Sequence, residues 1–296
     1  MLTINPRNES VARFHSILLG SVGPRPIAFA STIDKDGRPN LSPFSFFNAF
    51  GANPPTLVFS PARRVRDNTT KHTLENVKEV PEVVINVVTY DMVRQASLAS
   101  VEYPEGINEF EKAGFTMLAS EKIKPYRVKE SPVQFECRVN QIIELGKEGG
   151  SGNLIICEVL LVHVDERVLD ANNAIDQRKI DLVARMGGNW YCRAHGDALF
   201  EVEKPISSIG IGVDQLPEAI RYSPVLTGND LGQLGNVEKI PSMNELDDFI
   251  QSGEMEILMQ DFPQADFTNH RLAKKLLQEG KTMLAWKVLL AGMNIQ

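Results

Sequence analysis

Apolar positions in the first 165 residues fall in short β-compatible runs separated by turn residues. Residues 27–33 (IAFASTI) form the first, Asp34-Lys35-Asp36-Gly37 is a hairpin-type turn signal, and residues 39–45 (PNLSPFS) resume an extended run. Residues 55–60 (PTLVFS) predict a third strand, entered from Pro54-Pro55, a pair that biases the backbone away from helix. Between them the second strand ends in a hydroxyl- and aromatic-rich loop. Leu74, Val77 and Val80 recur at helical spacing behind Thr69 and Thr70, either of which suits a helix N-cap. Residues 83–88 (VVINVV) read as a buried strand, and residues 91–112 as one or two helices interrupted at Pro104-Glu105-Gly106. Two longer strands, 134–145 and 153–164, flank a glycine-rich stretch, 146–152 (GKEGGSG), whose simplest reading is a flexible hairpin loop. At least six strands with few helices between them favour an antiparallel barrel over a doubly wound sheet.

The last hundred residues have a different pattern. Residues 208–213 (SIGIGV) predict a strand, 216–221 and 244–251 short helices, and 269–278 (NHRLAKKLLQ) an amphipathic helix stopped by Gly280. Residues 283–290 are apolar but short and interrupted by Lys287, as in a helix packed on the barrel or on a partner subunit. Acidity also concentrates there: residues 201–296 carry 14 acidic against eight basic side chains, whereas residues 1–200 carry 24 against 23. The shift marks a boundary near residue 200, dividing a strand-rich domain, 1–200, from a mixed α/β extension, 201–296.

Composition narrows the functional classes. With 296 residues and 43% hydrophobic content, the chain has material for a large core. A net charge of −7 argues against binding to a nucleic-acid backbone, which needs a concentrated basic face. No signal peptide or membrane-length apolar run is present, so a soluble cytoplasmic protein is expected. Cys137, Cys157 and Cys192 are widely spaced and read as ordinary thiols, without a disulfide framework or CxxC site. The five histidines lack metal-ligand spacing, His163 near Asp165 and Glu166 reading as a strand-end cluster, and no catalytic triad is evident. The glycine-rich 146–152 stretch lacks the P-loop order, and the GxG of Gly210 and Gly212 is followed by Gln215, so neither nucleotide fingerprint is present.

Chemistry concentrates between Arg25 and Thr73. Ser42, Ser45 and Asn48 offer hydrogen-bonding groups beside the flat apolar surfaces of Phe44, Phe46 and Phe47, a combination that suits a ring system with polar edges. Taken singly, each phenylalanine is more simply core filling. Ser60, Arg63, Arg64, Arg66, Lys71 and Thr73 then gather basic and hydroxyl groups around a predicted helix start, where a phosphate gains from amides, dipole and cationic charge together.

The order RPIAFAST, DKDG, PNLSPFSFFN, NPPTLVFS, Lys71-His72-Thr73, VVINVV, Ser131-Pro132, Glu136-Cys137-Arg138 and Met186-Gly187-Gly188-Asn189-Trp190-Tyr191 resembles the flavin reductase-like, FMN-binding split-barrel family over roughly residues 20–195. The resemblance implies a mainly β fold, an antiparallel split β-barrel with peripheral helices, assembled as a homodimer with FMN near the interface. It implies cofactor contacts from Thr32, from the Ser42, Pro43, Phe44, Ser45, Phe47 and Asn48 segment along the ring and ribityl chain, and from Ser60 close by. Arg64, Lys71 and Thr73 would lie at the phosphate end, and Asn189 and Tyr191 on the flavin side. His72 stands where the family usually has aspartate. The chemistry implied is that of an oxidoreductase whose FMN accepts a hydride from NADH or NADPH, without a catalytic side chain, and passes electrons onward, possible recipients including a monooxygenase partner. The alternatives are a flavoredoxin-like electron carrier and a non-catalytic FMN-binding protein.

Overall fold

The computed structural model describes residues 1–202, 209–260 and 266–294, and the chain divides into two compact units, Met1–Phe200 and Glu201–Gln296. In the first unit, α1 (Val11–Ser21) precedes β1 (Ala28–Ile33), β2 (Pro39–Phe44), β3 (Phe47–Ala52), β4 (Pro55–Phe59), α2 (His72–Glu79) and β5 (Glu82–Val87). There follow α3 (Val93–Leu98), α4 (Glu109–Ala113), the short β6 (Met117–Leu118) and β7 (Arg127–Val128), the long β8 (Val133–Glu144) and β9 (Asn153–Val164), and the small hairpin β10 (Val183–Arg185) and β11 (Tyr191–Arg193).

Seven strands form one antiparallel sheet in the order β2-β1-β5-β8-β9-β4-β3. Its two edge strands, β2 and β3, are consecutive in the chain, with only Ser45 and Phe46 between them. Three Cα steps span about 11 Å at most, so the sheet must roll until its edges meet at that corner. The Ser60 N–H closes it further by donating to the Phe46 carbonyl at 2.8 Å.

Every residue of β1 is buried, because both faces of the strand are covered. Ala28 and Ala30 face one core with Phe44, Phe59, Val83, Ile85, Cys137, Ile155 and, from α2, Leu74 and Val77. Phe29 faces another with Leu41, Met92, Ala96, Phe110 and Phe115. The two-residue side-chain period of a strand produces this division. At the β1–β2 turn, Asp34 Oδ1 accepts from the amides of Asp36 and Arg38 at 2.9 Å each, and Gly37 supplies the positive φ of +81°. Burial pushes the Cys137 thiol up and the Cys157 thiol up to about 12, so both remain neutral core groups.

The mainly β expectation needs correction on three points. Residues 47–52 are not a loop but β3, whose small side chains and Gly51 carry a weak strand pattern while its backbone pairs with β4. Helix α2 starts at His72, with Lys71 at the N-cap position and no side-chain capping bond, so neither Thr69 nor Thr70 caps it. The C-terminal region is helical among its described residues: α5 (Glu218–Arg221), α6 (Gly228–Gly235), α7 (Met243–Gln251), α8 (Glu254–Met259), α9 (Thr268–Gln278) and α10 (Thr282–Asn294), with no strand. Of the strand expected over 208–213, Ser208 lies outside the described residues. Farther along, Ile211 and Gly212 donate to the carbonyls of Val237 and Gly235 rather than to a ladder. The chain is therefore mixed: an antiparallel sheet with helices in one unit, helices in the other. The core of the C-terminal unit surrounds Trp286, whose Nε1–H donates to the Leu234 carbonyl at 3.1 Å. Among the described residues no helix is long and apolar enough to cross a membrane.

Candidate functional site

The register of β1 against β2 pairs Thr32 with Asn40, Ala30 with Ser42 and Ala28 with Phe44, so these six side chains share the face that α2 covers. Pro43 falls on the opposite face by strand alternation. Above that shared face lies a buried polar network. Asn40 Nδ2 donates to Glu109 Oε1 at 3.1 Å, and Leu41 N–H donates to Glu109 Oε2 at 3.1 Å. With its amide nitrogen so committed, Asn40 turns Oδ1 to accept from the hydroxyls of Thr73 at 2.7 Å and Thr32 at 3.3 Å. Asn76 Nδ2 completes the chain by donating to Thr32 Oγ1 at 3.0 Å. Burial raises the Glu109 carboxyl above its ordinary range, opposed by the bonds from Leu41 and Asn40 and by nearby His72.

The basic segment after β4 is a braced loop. Arg63 Nε and Nη2 donate to Asn68 Oδ1 at 2.6 Å and to its carbonyl at 2.7 Å, holding Asn68 at φ +58°. The glycine-rich β8–β9 connection packs on this loop: the Gly150 N–H donates to the Arg63 carbonyl at 2.9 Å. A Cβ on Gly149 would come within 3.0 Å of the Arg64 and Val65 carbonyls. Those glycines allow close backbone approach, a role beyond the flexible turn expected of them.

Arg64 and Lys71 both reach the cleft beside this loop, in different states. Arg64 donates through Nε to Glu102 Oε1 at 2.7 Å and through Nη1 to Thr69 Oγ1 at 2.8 Å and to the Thr70 carbonyl. Arg66 pairs with the other Glu102 oxygen. Lys71, half-buried, has no hydrogen-bond or ion-pair partner among the described residues, and burial followed by repulsion from Arg64 lowers its pKa. It sits at the uncapped N-terminus of α2. Asn40, Ser42, Arg64, Lys71, Thr73 and Glu102 line the cleft, whose free volume is about 20 Å³, with His72 and Glu109 also on its wall.

Other sequence-predicted residues lie elsewhere. Thr32 and Thr73 have buried hydroxyls bonded within the network. Phe44 is core, 5.5 Å from Phe59 between ring centroids, and Phe47 packs against the same cluster. Ser60 is buried, and its Oγ accepts from the Asn153 N–H at 3.0 Å, anchoring the start of β9. Asn48 is exposed on β3, its Oδ1 bonded to the Ala49 N–H. Ser45 stands at the barrel corner, where Arg25 Nε donates to its Oγ at 3.5 Å. Arg25 also donates to the Leu19 and Met186 carbonyls, tying α1 and the turn that carries Asn189 to that corner. Asn189 is exposed there. Tyr191 lies under Arg185, whose guanidinium carbon is 4.5 Å from the ring centroid. It lines a separate 300 Å³ cavity with Tyr90, Val93, Arg94 and Arg193.

The sequence profile of the flavin reductase like domain matches residues 20–181. The chain belongs to this flavin reductase-like family. An uncharacterized protein of Aquifex aeolicus (strain VF5) is 38% identical over 188 residues, covering 64% of this chain and 93% of that relative. Among solved structures, nitrilotriacetate monooxygenase component B from Bacillus cereus superposes with a TM-score of 0.64 at 30% identity, over 68% of this chain and 98% of the other. The Pseudomonas fluorescens 2-nitrobenzoate 2-nitroreductase gives 0.61 at 26% identity, over 74% and 100%. The rolled seven-stranded sheet is thus that of the split-barrel flavin reductases. The match ends before the Gly187–Tyr191 turn and before the helical C-terminal unit.

Within this flavin reductase-like domain, sequence reasoning did not single out Asn40, Glu102, Glu109 or Arg25. Asn40 lay inside the quoted NLSPFSFFN run, and its pairing opposite Thr32 follows from the hairpin register. Arg25 opened the quoted stretch. For Glu102 and Glu109 the sequence carries no local signal, because their partners are 38 and 68 residues away. His163 lies beside Glu136, with Nε2 2.7 Å from Oε1. No cluster of metal-ligating side chains occurs among the described residues.

Proposed function

We propose that this protein is an FMN-binding oxidoreductase, a reductase that draws electrons from NADH or NADPH. The observation that carries the reading is Lys71: a half-buried cation without a partner among the described residues, at the uncapped start of α2, beside Ser42 in a flavin reductase-like fold. An anion placed there gains from the ammonium charge and from the helix N-terminus together. The residues fit the phosphate end of FMN in this cationic part. Arg64, already bonded to Glu102, and the Thr73 hydroxyl, donating to Asn40, fit it as supports of the cleft.

A bound flavin would supply the redox chemistry itself, and the chain's contribution is to bind, orient and exclude water. On this reading Ser42 presents its hydroxyl toward the ring and ribityl side. Lys71 holds the phosphate, and the Asn40 network keeps β2 and α2 in fixed register around both. Arg25 brings the turn bearing Asn189 to the Ser45 corner, the second approach to the ring. Assembly as a homodimer is part of the proposal: α1 buries none of its residues within the chain, and edge strand β3 is exposed, with Phe50 69% accessible.

The deciding experiment is a visible spectrum of the purified protein with FMN, taken before and after anaerobic NADH and NADPH. Rapid bleaching by either donor supports the reductase; a yellow protein inert to both supports a non-catalytic flavin protein. Colourless protein that takes up no FMN ends the flavin reading. The names of the structural relatives, a monooxygenase component and a nitroreductase, suggest two uses of reduced flavin: release to a partner enzyme, or reduction of an acceptor in place. Donor oxidation that saturates with added free FMN favours release. Turnover indifferent to free FMN favours the bound, carrier-like use.

A further inference from the structure

We infer that Glu102 is an internal anion that competes with a phosphate-bearing ligand for Arg64 and thereby sets how strongly the cleft prefers phosphorylated over unphosphorylated flavin. The inference rests on the flavin reading above and assigns to one carboxylate the specificity of that site.

Glu102 occupies the segment after α3 and places both oxygens on the basic loop, Oε1 on Arg64 and Oε2 on Arg66. Arg64 and Lys71 line the cleft and Arg66 lies on the loop outside it; Glu102 pairs with both arginines, and Asp67 reaches Arg66 at 3.0 Å. Lys71 has no bonded partner among the described residues and feels Glu102 only through space, against repulsion from Arg64 and Arg66. Arg64 has only Nη2 uncommitted among the described residues, since Nε faces Glu102 and Nη1 is held by Thr69 and Thr70, so a two-pronged grip on an anion through Nε and Nη2 requires Glu102 to give way.

The volume leads to the same conclusion. The cleft is narrow, with about 20 Å³ of free space, so a bulky anion entering it presses on whichever wall group can move. Of the two carboxylates on its wall, Glu109 is 4% exposed and pinned by β2, whereas the Glu102 side chain is 37% exposed. Glu102 is therefore the one that can swing into solvent without breaking buried bonds. Its carboxyl is held below the usual range by Arg66 and then Arg64, so it stays charged and competes throughout the neutral range. A phosphate monoester brings close to two charges and three acceptor oxygens against one charge and two, which makes the exchange favourable for FMN and unavailable to riboflavin. The opposite role, a brace that orients Arg64 toward phosphate, predicts the reverse sign on removal.

The test measures FMN and riboflavin affinities of the full-length protein and of Glu102→Gln and Glu102→Ala, with circular dichroism to establish that each variant is folded. Competition predicts that both variants tighten FMN about three- to tenfold and leave riboflavin within twofold. Unchanged or weakened FMN binding, with riboflavin still bound, overturns the inference while leaving the flavin reading intact. Should wild type and variants bind neither flavin, the flavin reading falls, and inorganic phosphate then decides for the carboxylate. A larger rise in melting temperature with phosphate for Glu102→Gln than for wild type retains the competition; equal shifts remove it.

Discussion

The Thr73 hydroxyl donates to Asn40 Oδ1 at 2.7 Å, and both side chains are buried. That bond spans from the first turn of α2 to the second strand and fixes a proton that the family resemblance would direct to a phosphate. Because Asn40 Nδ2 faces the Glu109 carboxylate, the amide cannot flip to free it without setting two donors or two acceptors against each other. Thr73 is a support of the cleft. Thr73→Val leaves Asn40 Oδ1 short of a partner and should lower stability by about 1–2 kcal/mol, read from the urea midpoint. It should shift FMN and riboflavin affinity by similar small factors, and a loss confined to FMN would return Thr73 to the phosphate.

Lys71→Ala is expected to behave differently. Removal of a half-buried ammonium relieves its burial and its repulsion from Arg64, which outweigh the lost attraction to Glu102, and should leave stability unchanged or slightly raised, while FMN binding weakens about tenfold or more. Riboflavin binding should be nearly unaffected. Ser42→Ala, by contrast, should weaken both flavins alike, since Ser42 is assigned to the ring and ribityl side. Titrations of each variant with the two flavins separate these outcomes.

Thr73 is bonded and Lys71, among the described residues, is not, although the two lie two residues apart in the sequence. Strands β1, β2, β4, β5, β8 and β9 were legible because each is a short apolar run bounded by turn chemistry, such as the Asp34 hydrogen bonds and Gly37 φ that close the first hairpin. Strand β3 was not, because Asn48, Ala49, Gly51 and Ala52 have little strand preference and its pairing with β4 is what makes it one. Residue types in the cleft were legible too, since Arg64, Lys71 and Thr73 are close in sequence. Which of them is free was decided at long range, by Glu102 and by Asn40, and no local pattern encodes that.

Ser60 gives a further test. Its Oγ accepts the Asn153 N–H, and a Cβ on Gly152 would lie 2.9 Å from that oxygen, so the hydroxyl fills a tight corner at the start of β9. Ser60→Ala should cost about 1–2 kcal/mol in unfolding free energy by leaving a buried amide unbonded. FMN affinity should change by less than threefold. A large flavin effect without a stability effect would move Ser60 to the ligand.

Glu136 predicts an acid-sensitive contribution in the first unit. Burial raises the pKa of this wholly buried carboxyl, but the Glu121 and Lys122 amides, at 2.9 and 2.6 Å, together with His163, outweigh burial and hold it below the ordinary range. A carboxylate depressed in the folded state stabilises above its unfolded pKa, and the stabilisation is lost as pH falls through the folded value. Glu136→Gln should therefore cost about 1–3 kcal/mol at pH 7, with the gap to wild type closing below about pH 4. Urea unfolding across that range measures it, and a gap independent of pH would assign the loss to packing.

His270 predicts a separate pH dependence in the helical unit. Its Nδ1 lies 2.7 Å from Ser223 Oγ, which also accepts the amides of Val225 and Leu226. Ser223 therefore donates its proton to the imidazole, which must be unprotonated at Nδ1 to receive it. Burial lowers the His270 pKa, so the neutral form is favoured by folding. Its contribution is present above the unfolded value near 6.5 and is lost as pH falls through the lower folded value. Trp286 is buried in this unit and Trp190 is exposed in the other, so Trp190→Phe makes fluorescence a reporter of the helical unit alone. In that background the urea midpoint should drop between pH 7.5 and 5.0. His270→Asn should show a smaller drop and, at pH 7.5, a loss of about 1 kcal/mol from the missing bond. Equal pH dependence in the two proteins would mean that the titrating group lies elsewhere.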